Sequence, residues 1–286
     1  ESESPDRDDF EENEILQIYD PCCGTGGMLT ETEERIKDIN EDVETWLFGQ
    51  EVNPQTHAIA KSDMFIKGED ATAANNIEDG STLADDAFPD KQFDYMLANP
   101  PYGKDWKSDK EAVEKEAEQG WGGRFGAGLP SKTDGQLLFL QTMLSKMQES
   151  EDGGSRIAYI TNASPLFTAD PNVSESKNEC SIRRWILEND WLEALIRLPD
   201  ELFYNTKITT YVWILSNDKS EERDKDIQLI DASGEGFWTL MDDNKGDKRK
   251  ELTEDQIQDI LELYRENEDG ENSQTYSNTT FLMHAT

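Results

Sequence analysis

Basic residues are scarce in this chain: 27 lysines and arginines stand against 63 aspartates and glutamates, a formal net charge of −36 over 286 residues. A protein that binds nucleic acid unaided carries a basic face that displaces counterions from the phosphates. No strong basic cluster is visible; the densest stretch, Lys245 to Lys250, is interrupted by Asp247. Either nucleic acid is not the substrate, or another subunit supplies most of the phosphate contacts. Cysteine is nearly absent too. Cys22, Cys23 and Cys180 give neither a disulfide framework nor metal-ligand spacing, so no metal is expected. Reduced thiols in a cytoplasmic protein are the expectation. The two histidines, His57 and His284, have no visible partner for acid–base work. No apolar stretch reaches membrane-spanning length, and no signal-peptide pattern is present.

Hydrophobic residues make up only 35% of the chain, low enough on its own to suggest disorder. They fall, however, in compact runs bounded by turn signals, such as Phe93 to Ala98, Ile157 to Ile160 and Tyr211 to Leu215. The acids are spread through the intervening segments instead of collecting in one tail. This pattern fits a folded protein with an acidic surface, as in a proteome bathed in concentrated salt, where screening removes the self-repulsion. A halophilic source is therefore expected. The chain opens on Glu1, and an acidic leader, residues 1–14, precedes the first strand. It reads as a piece of a longer protein, cut just upstream of that strand.

The apolar runs alternate between strand and helix patterns, which argues for a mainly parallel α/β sheet covered on both faces. Strands are expected at Ile15 to Tyr19, Trp46 to Glu51, near Asn76 and Ile77, and at Phe93 to Ala98. Helices are expected from about Met28 to Asn40 and from Pro54 to Ile66, the latter with proline in its first turn. A polar, glycine-bearing segment, residues 103–134, then interrupts the alternation and reads as a flexible insertion or lid. An amphipathic helix, Gln136 to Met147, follows, with Leu137, Leu138, Leu140, Met143, Leu144 and Met147 on its apolar side. Next come a strand at Arg156 to Thr161 and a helix at Ser176 to Glu188. The strands Trp191 to Leu198 and Thr209 to Leu215 are joined too closely for a helical crossover, so they form an antiparallel hairpin. A strand at Ile227 to Ile230 and a capped helix at Thr253 to Tyr264 precede a polar tail beyond Asn267.

Three strand ends carry chemistry-bearing residues. The first ends in Asp20-Pro21-Cys22-Cys23-Gly24-Thr25-Gly26-Gly27, an acid followed by a glycine turn that lets backbone approach a ligand closely. The spacing does not fit the G-x-G-x-x-G dinucleotide fingerprint, which disfavours a hydride-transferring dehydrogenase. The second strand ends in Glu51, an acid suited to accept hydrogen bonds from two ribose hydroxyls. The fourth ends in Asn99-Pro100-Pro101-Tyr102. Its two prolines fix the backbone and withhold two N–H donors, so the Asn99 and Pro100 carbonyls can both face a pocket as acceptors. That geometry suits an exocyclic amino group, and Tyr102 offers a flat face for an aromatic ring.

Asp-Pro-x-Cys-Gly-Thr-Gly-Gly followed by Asn-Pro-Pro-Tyr resembles the S-adenosylmethionine-dependent N6-adenine DNA methyltransferases, and within them the modification (M) subunit of type I restriction-modification systems. The likeness extends from about Ile15 to Arg265 through Phe48-Gly49-Gln50-Glu51-Val52-Asn53-Pro54, Ile182-Arg183-Arg184-Trp185, Leu198-Pro199-Asp200-Glu201-Leu202-Phe203-Tyr204 and Leu229-Ile230-Asp231-Ala232-Ser233. The resemblance implies the class I S-adenosylmethionine-dependent methyltransferase fold, with a catalytic domain over residues 15–235 and a C-terminal helical extension and tail over 236–286. It implies that Asp20, Gly24, Thr25, Gly26 and Gly27 hold the methionine part of the cofactor and Glu51 its ribose. Asn99 and Pro100, with Pro101 behind them, would grip adenine N6, and Tyr102 would stack on a base flipped from the duplex. A specificity (S) subunit and a restriction (R) subunit are the implied partners. Ser81 stands where the family often has Asp or Asn against the cofactor adenine. The family's upstream aromatic-Thr-Pro segment and helical domain are not among these residues, so weak cofactor binding by this piece is expected.

An Asn-Pro-Pro-Tyr site also suits a protein glutamine amide, and an assembly subunit with an idle pocket is a third reading. The charge pattern generates one test: the melting temperature should rise by several degrees between low and molar salt as screening removes acid–acid repulsion. An unchanged or falling Tm would refute a salt-adapted surface.

Overall fold

The computed structural model describes residues 15–67, 72–168, 178–204 and 206–283. The chain forms two compact units, residues 1–157 and 158–286. The first contains β1 (Ile15–Asp20), α1 (Gly27–Ile39), β2 (Glu44–Glu51), α2 (Pro54–Lys67), α3 (Thr72–Asn75), β3 (Ile77–Asp79), β4 (Tyr95–Ala98), α4 (Lys110–Ala117) and α5 (Gln136–Leu144). β1 pairs in parallel with β2 on one side and β4 on the other, and β2 pairs in parallel with β3. The chain thus changes direction across the sheet between β1 and β4, and a crevice opens beyond the carboxyl ends of strands at such a switch point.

β1 reads as a near-continuous apolar run because neighbours on both sides bury it; Leu16, Ile18 and Tyr19 are all in the core. Tyr19 stacks on Phe93 with centroids 4.5 Å apart, and Phe88 meets both Tyr19 and Phe48 edge-on. These aromatics pack together in the core and link β1 with β2.

The segment 103–134, expected as a flexible insertion, is instead folded. It contributes α4 and buries Trp106, Val113 and Phe125 against Leu83 and Leu138. Its glycines serve close packing: a Cβ on Gly126 would lie 2.6 Å from the Gly120 carbonyl oxygen. α5 is shorter than expected and not amphipathic. Gln136, Gln141 and Thr142 are buried together with its leucines; Gln141 donates to the Gly128 carbonyl at 3.1 Å and Thr142 to that of Leu138 at 3.0 Å, while Gln141 Oε1 is buried without a hydrogen-bond partner among the described residues.

β5 (Arg156–Thr161) straddles the boundary in the chain, and the second unit continues with α6 (Ser164–Phe167), α7 (Glu179–Glu188), β6 (Leu192–Arg197), β7 (Tyr211–Ser216), β8 (Asp226–Asp231), β9 (Thr239–Lys245), β10 (Lys248–Glu251), α8 (Glu254–Glu266), β11 (Ser273–Ser277) and α9 (Asn278–Met283). The expected antiparallel pairing of β6 and β7 is present, while β8 runs parallel to β6. α8 opens with a capping box between Thr253 and Gln256 and packs Ile260 onto Ile196, Leu198, Ile230 and Ala232. The tail expected beyond Asn267 as merely polar contains β11, which pairs antiparallel with β8; as a terminal strand of the sheet it needs few apolar residues. The basic stretch from Lys245 to Lys250 forms the turn of the β9–β10 hairpin, where Lys250 meets Asp200 at 2.5 Å and Arg249 meets Glu201 at 3.3 Å. The acidic leader and the start of the helix expected at Ser176 lie outside the described residues. Among those described, no helix is long and apolar enough to cross a membrane.

Candidate active site

The residues expected to hold cofactor and base fall within the first unit, at or just beyond the carboxyl ends of β1, β2 and β4. The turn after β1 is held by its own polar groups. Asp20 is buried, and its carboxylate accepts from the Cys22 amide at 2.9 Å. The Cys23 amide donates to the Gln50 carbonyl at 3.1 Å, and the Gly24 amide to Glu51 Oε2 at 3.0 Å. Gly24 and Gly26 sit at φ 57° and 84°, the left-handed region where a side chain is strained, and Gly26 caps α1. At Gly26 a Cβ would also meet Met64 at 2.8 Å, whereas above Gly24 and Gly27 nothing lies within 4 Å. The outer face of the turn is therefore an open cradle at a helix N-terminus, and Thr25 is exposed on it.

Glu51 is half-buried, and each of its oxygens accepts one backbone N–H, Oε2 from Gly24 and Oε1 from Asn53 at 2.7 Å. A carboxylate oxygen has a second lone pair, so both retain capacity for a ligand hydroxyl. Burial pushes Asp20 up from its ordinary 3.8 to about 7, against the Cys22 hydrogen bonds that favour its ionised form, and nearby Glu51 adds to the rise. Burial likewise pushes the Cys22 thiol up, with Asp20 adding to it.

The register of β1 with β4, Ile18 opposite Tyr95 and Tyr19 opposite Met96, makes the carboxyl ends of the two strands, Asp20 and Ala98, neighbours. Asn99 is half-buried, Pro100 buried and Pro101 exposed. The Tyr102 hydroxyl donates to Asn99 Oδ1 at 2.5 Å, which fixes the carboxamide and leaves its oxygen one further lone pair. Burial raises the Tyr102 pKa, the Asn99 bond opposes the shift, and Cys22 is near enough to add to it. The glycine turn and the Asn99–Tyr102 turn thus border one crevice. The remaining sequence candidate, Ser81, opens a turn after β3 in which Ala84 and Asp85 donate to its carbonyl.

Several residues that shape the site had no role assigned from sequence. Gln50, within the Phe48 to Pro54 stretch, uses its side chain to hold the Asp85 carbonyl at 2.8 Å and the Ala87 amide at 3.2 Å. Thr82 donates to the Pro21 carbonyl at 2.5 Å. His57 Nε2 lies 3.0 Å from the Ile77 carbonyl, a contact from α2 to β3; His284 is outside the described residues. A buried glutamine next to a strand-end acid is a signal that could have been read; the threonine bond spans sixty-one positions and could not.

The family profile described as N-6 DNA Methylase matches residues 9–282. Among curated relatives, the type I restriction enzyme HindI methylase subunit of Haemophilus influenzae is 29% identical over 77% of this chain and 45% of its own length. The MjaVII methylase subunit of Methanocaldococcus jannaschii is 30% identical over 88% of this chain and 41% of its own. The chain spans about half the length of the curated relatives it matches. Among solved structures, a type I restriction-modification methyltransferase subunit from Streptococcus thermophilus aligns with a TM-score of 0.73 and 24% identity, over 98% of this chain and 53% of that one. A protein described as a class I S-adenosylmethionine-dependent methyltransferase, from Listeria monocytogenes, aligns with a TM-score of 0.55 and 15% identity, over 77% and 59%. These likenesses show the fold to be that of class I S-adenosylmethionine-dependent methyltransferases.

The Asp20 shift makes a stability prediction. Its folded value lies above its unfolded one, so between pH 3.8 and about 7 the native state keeps a proton that the unfolded chain has released. Stability contributed by the neutral acid is lost as pH rises through that window, at full ionisation on the order of 4 kcal/mol. Asp20→Asn keeps an acceptor for the Cys22 amide without this loss. Its Tm should exceed wild type by several degrees near pH 8 and match it near pH 4; equal differences at both pH values would show that Asp20 is not destabilised by burial.

Proposed function

The chain belongs to the N-6 DNA methylase family, and on that premise we propose that it is the catalytic part of a type I restriction-modification M subunit, transferring a methyl group from S-adenosylmethionine to adenine N6. The observation that carries the reading is the pairing of two turns at one switch point: the open glycine cradle after β1 and the Asn99–Tyr102 acceptor turn after β4. The cradle fits the proposed cofactor. Open space above Gly24 and Gly27 suits the methionine moiety, and the free lone pairs of Glu51 suit two ribose hydroxyls. Asp20, buried beneath the turn, acts mainly by orienting it and adds a carboxylate that favours a cationic ligand.

When bound, the cofactor supplies an activated methyl carbon on a sulfonium. The chain's own part is positioning and polarisation. Asn99 Oδ1 and the Pro100 carbonyl accept the two hydrogens of an adenine amino group, which directs its nitrogen lone pair toward the cradle. Tyr102 keeps Asn99 in that orientation while presenting its ring to the base. The pair of acceptors also offers a first station for the proton that N6 loses as the new N–C bond forms. An S subunit supplies sequence recognition and an R subunit joins the complex; this division accounts for a catalytic chain without a basic face, in a cytoplasmic setting.

Asn99→Ala should reduce methyl transfer by at least about a hundredfold while leaving cofactor affinity nearly unchanged. Labelled-methyl transfer by the full-length chain with its partner subunits, offered duplex DNA and protein acceptors side by side, provides the measurement. Full DNA methylation by the variant would remove Asn99 from the mechanism, and label appearing on protein amides would favour the glutamine reading instead.

A further inference from the structure

Arg124 lies in the segment 103–134, away from both turns of the site, and its side chain is only 10% exposed. All five of its side-chain N–H groups are engaged within the chain. Nε donates to Glu116 Oε1 at 2.8 Å, and Nη2 donates to Glu116 Oε2 at 2.6 Å and to the Leu83 carbonyl at 3.3 Å. Nη1 donates to the Thr82 carbonyl at 2.7 Å and to Thr142 Oγ1 at 3.4 Å. A cation so enclosed has no donor left for a DNA phosphate. Its fork spans a carboxylate and two consecutive carbonyls, a pattern that a lysine's compact ammonium cannot reproduce.

The bonds lead toward the cradle. Thr82 is buried; Arg124 holds its carbonyl, and its hydroxyl donates to the carbonyl of Pro21, the residue after Asp20. The same stretch is tied at its other points to β2, through Gly80 to the Glu51 carbonyl at 3.0 Å and through the Gln50 side chain to Asp85 and Ala87. Residues 80–87 therefore form a wall joined to both the glycine turn and the Glu51 strand end. We propose that Arg124 is a positioning residue for the cofactor site, fixing this wall, and through Thr82 the glycine turn, from the folded 103–134 segment. The inference rests on the cofactor assignment made above. It gives that segment a role in the chemistry other than covering it: the segment that follows the adenine-gripping turn also sets the far side of the cofactor cradle, coupling the two halves of the site through one buried cation.

The test uses the full-length chain, with affinity for S-adenosylmethionine and S-adenosylhomocysteine measured by calorimetry beside methyl-transfer kinetics. Arg124→Lys keeps the charge and loses the fork; Thr82→Val removes only the hydroxyl link; Thr82→Ser restores it. Arg124→Lys and Thr82→Val should each weaken cofactor binding and raise its KM by about tenfold or more, with kcat at saturating cofactor within about threefold of wild type. Thr82→Ser should remain within about threefold in affinity. A purely structural Arg124 would lower Tm without moving cofactor affinity, and unchanged affinity in folded Thr82→Val overturns the proposal even if Arg124→Lys does not fold. Wild type that binds cofactor but methylates no adenine sinks the function proposed above and leaves this inference to stand or fall on affinity; wild type that binds no cofactor sinks both.

Discussion

The backbone of the turn after β1 is the constraint on which the site depends. A tight turn with two left-handed glycines exposes several polar groups at the end of a buried strand, and each must find a partner or carry a penalty of roughly 1–3 kcal/mol. Four are supplied from different places: the Cys22 amide by Asp20, the Cys23 amide by the Gln50 carbonyl, the Gly24 amide by Glu51 and the Pro21 carbonyl by Thr82. The turn is therefore tied to β2 and to the segment after β3. Gly49 follows from the same constraint, since a Cβ there would lie 2.8 Å from Cys23 Sγ.

The residues that hold this turn do so at some expense to the fold. Asp20 is buried with Glu51 close by, and both effects resist its ionisation. A site with two carboxylates drawn together and one of them desolvated favours a ligand that brings positive charge, because such a ligand relieves repulsion present without it. The strand that carries Asp20 is itself fixed in the core, where Tyr19 stacks on Phe93.

What the sequence disclosed and what it hid divide along physical lines. The strand-end motifs were readable because a β–α unit displays its ligand-facing residues in one short contiguous stretch, from Asp20 to Gly27 and again from Asn99 to Tyr102. The β6–β7 hairpin was readable because its short connection excludes a crossover. The segment 103–134 misled because glycines that permit close backbone packing, as at Gly126, look the same in a sequence as glycines in a mobile loop. β11 was hidden because an edge strand made of Ser-Gln-Thr-Tyr-Ser has no alternation to detect, whereas the helix α5 was expected and only its burial on nearly every side, which leaves no polar face, was not. Arg124 was out of reach for another reason: its partners Thr82, Glu116 and Thr142 are brought together only by the fold.

The same internal use of cations bears on the charge. Arg124 is enclosed by its own partners, Lys146 is buried against Asp86 at 2.7 Å, and Lys250 is paired with Asp200. Each of these cations is matched by a carboxylate, so the pairs are neutral and the formal net charge of −36 falls on the remaining residues. A surface of that charge repels other polyanions at low ionic strength and attracts cationic groups. In molar salt the screening length contracts to about 3 Å, and both long-range effects largely vanish.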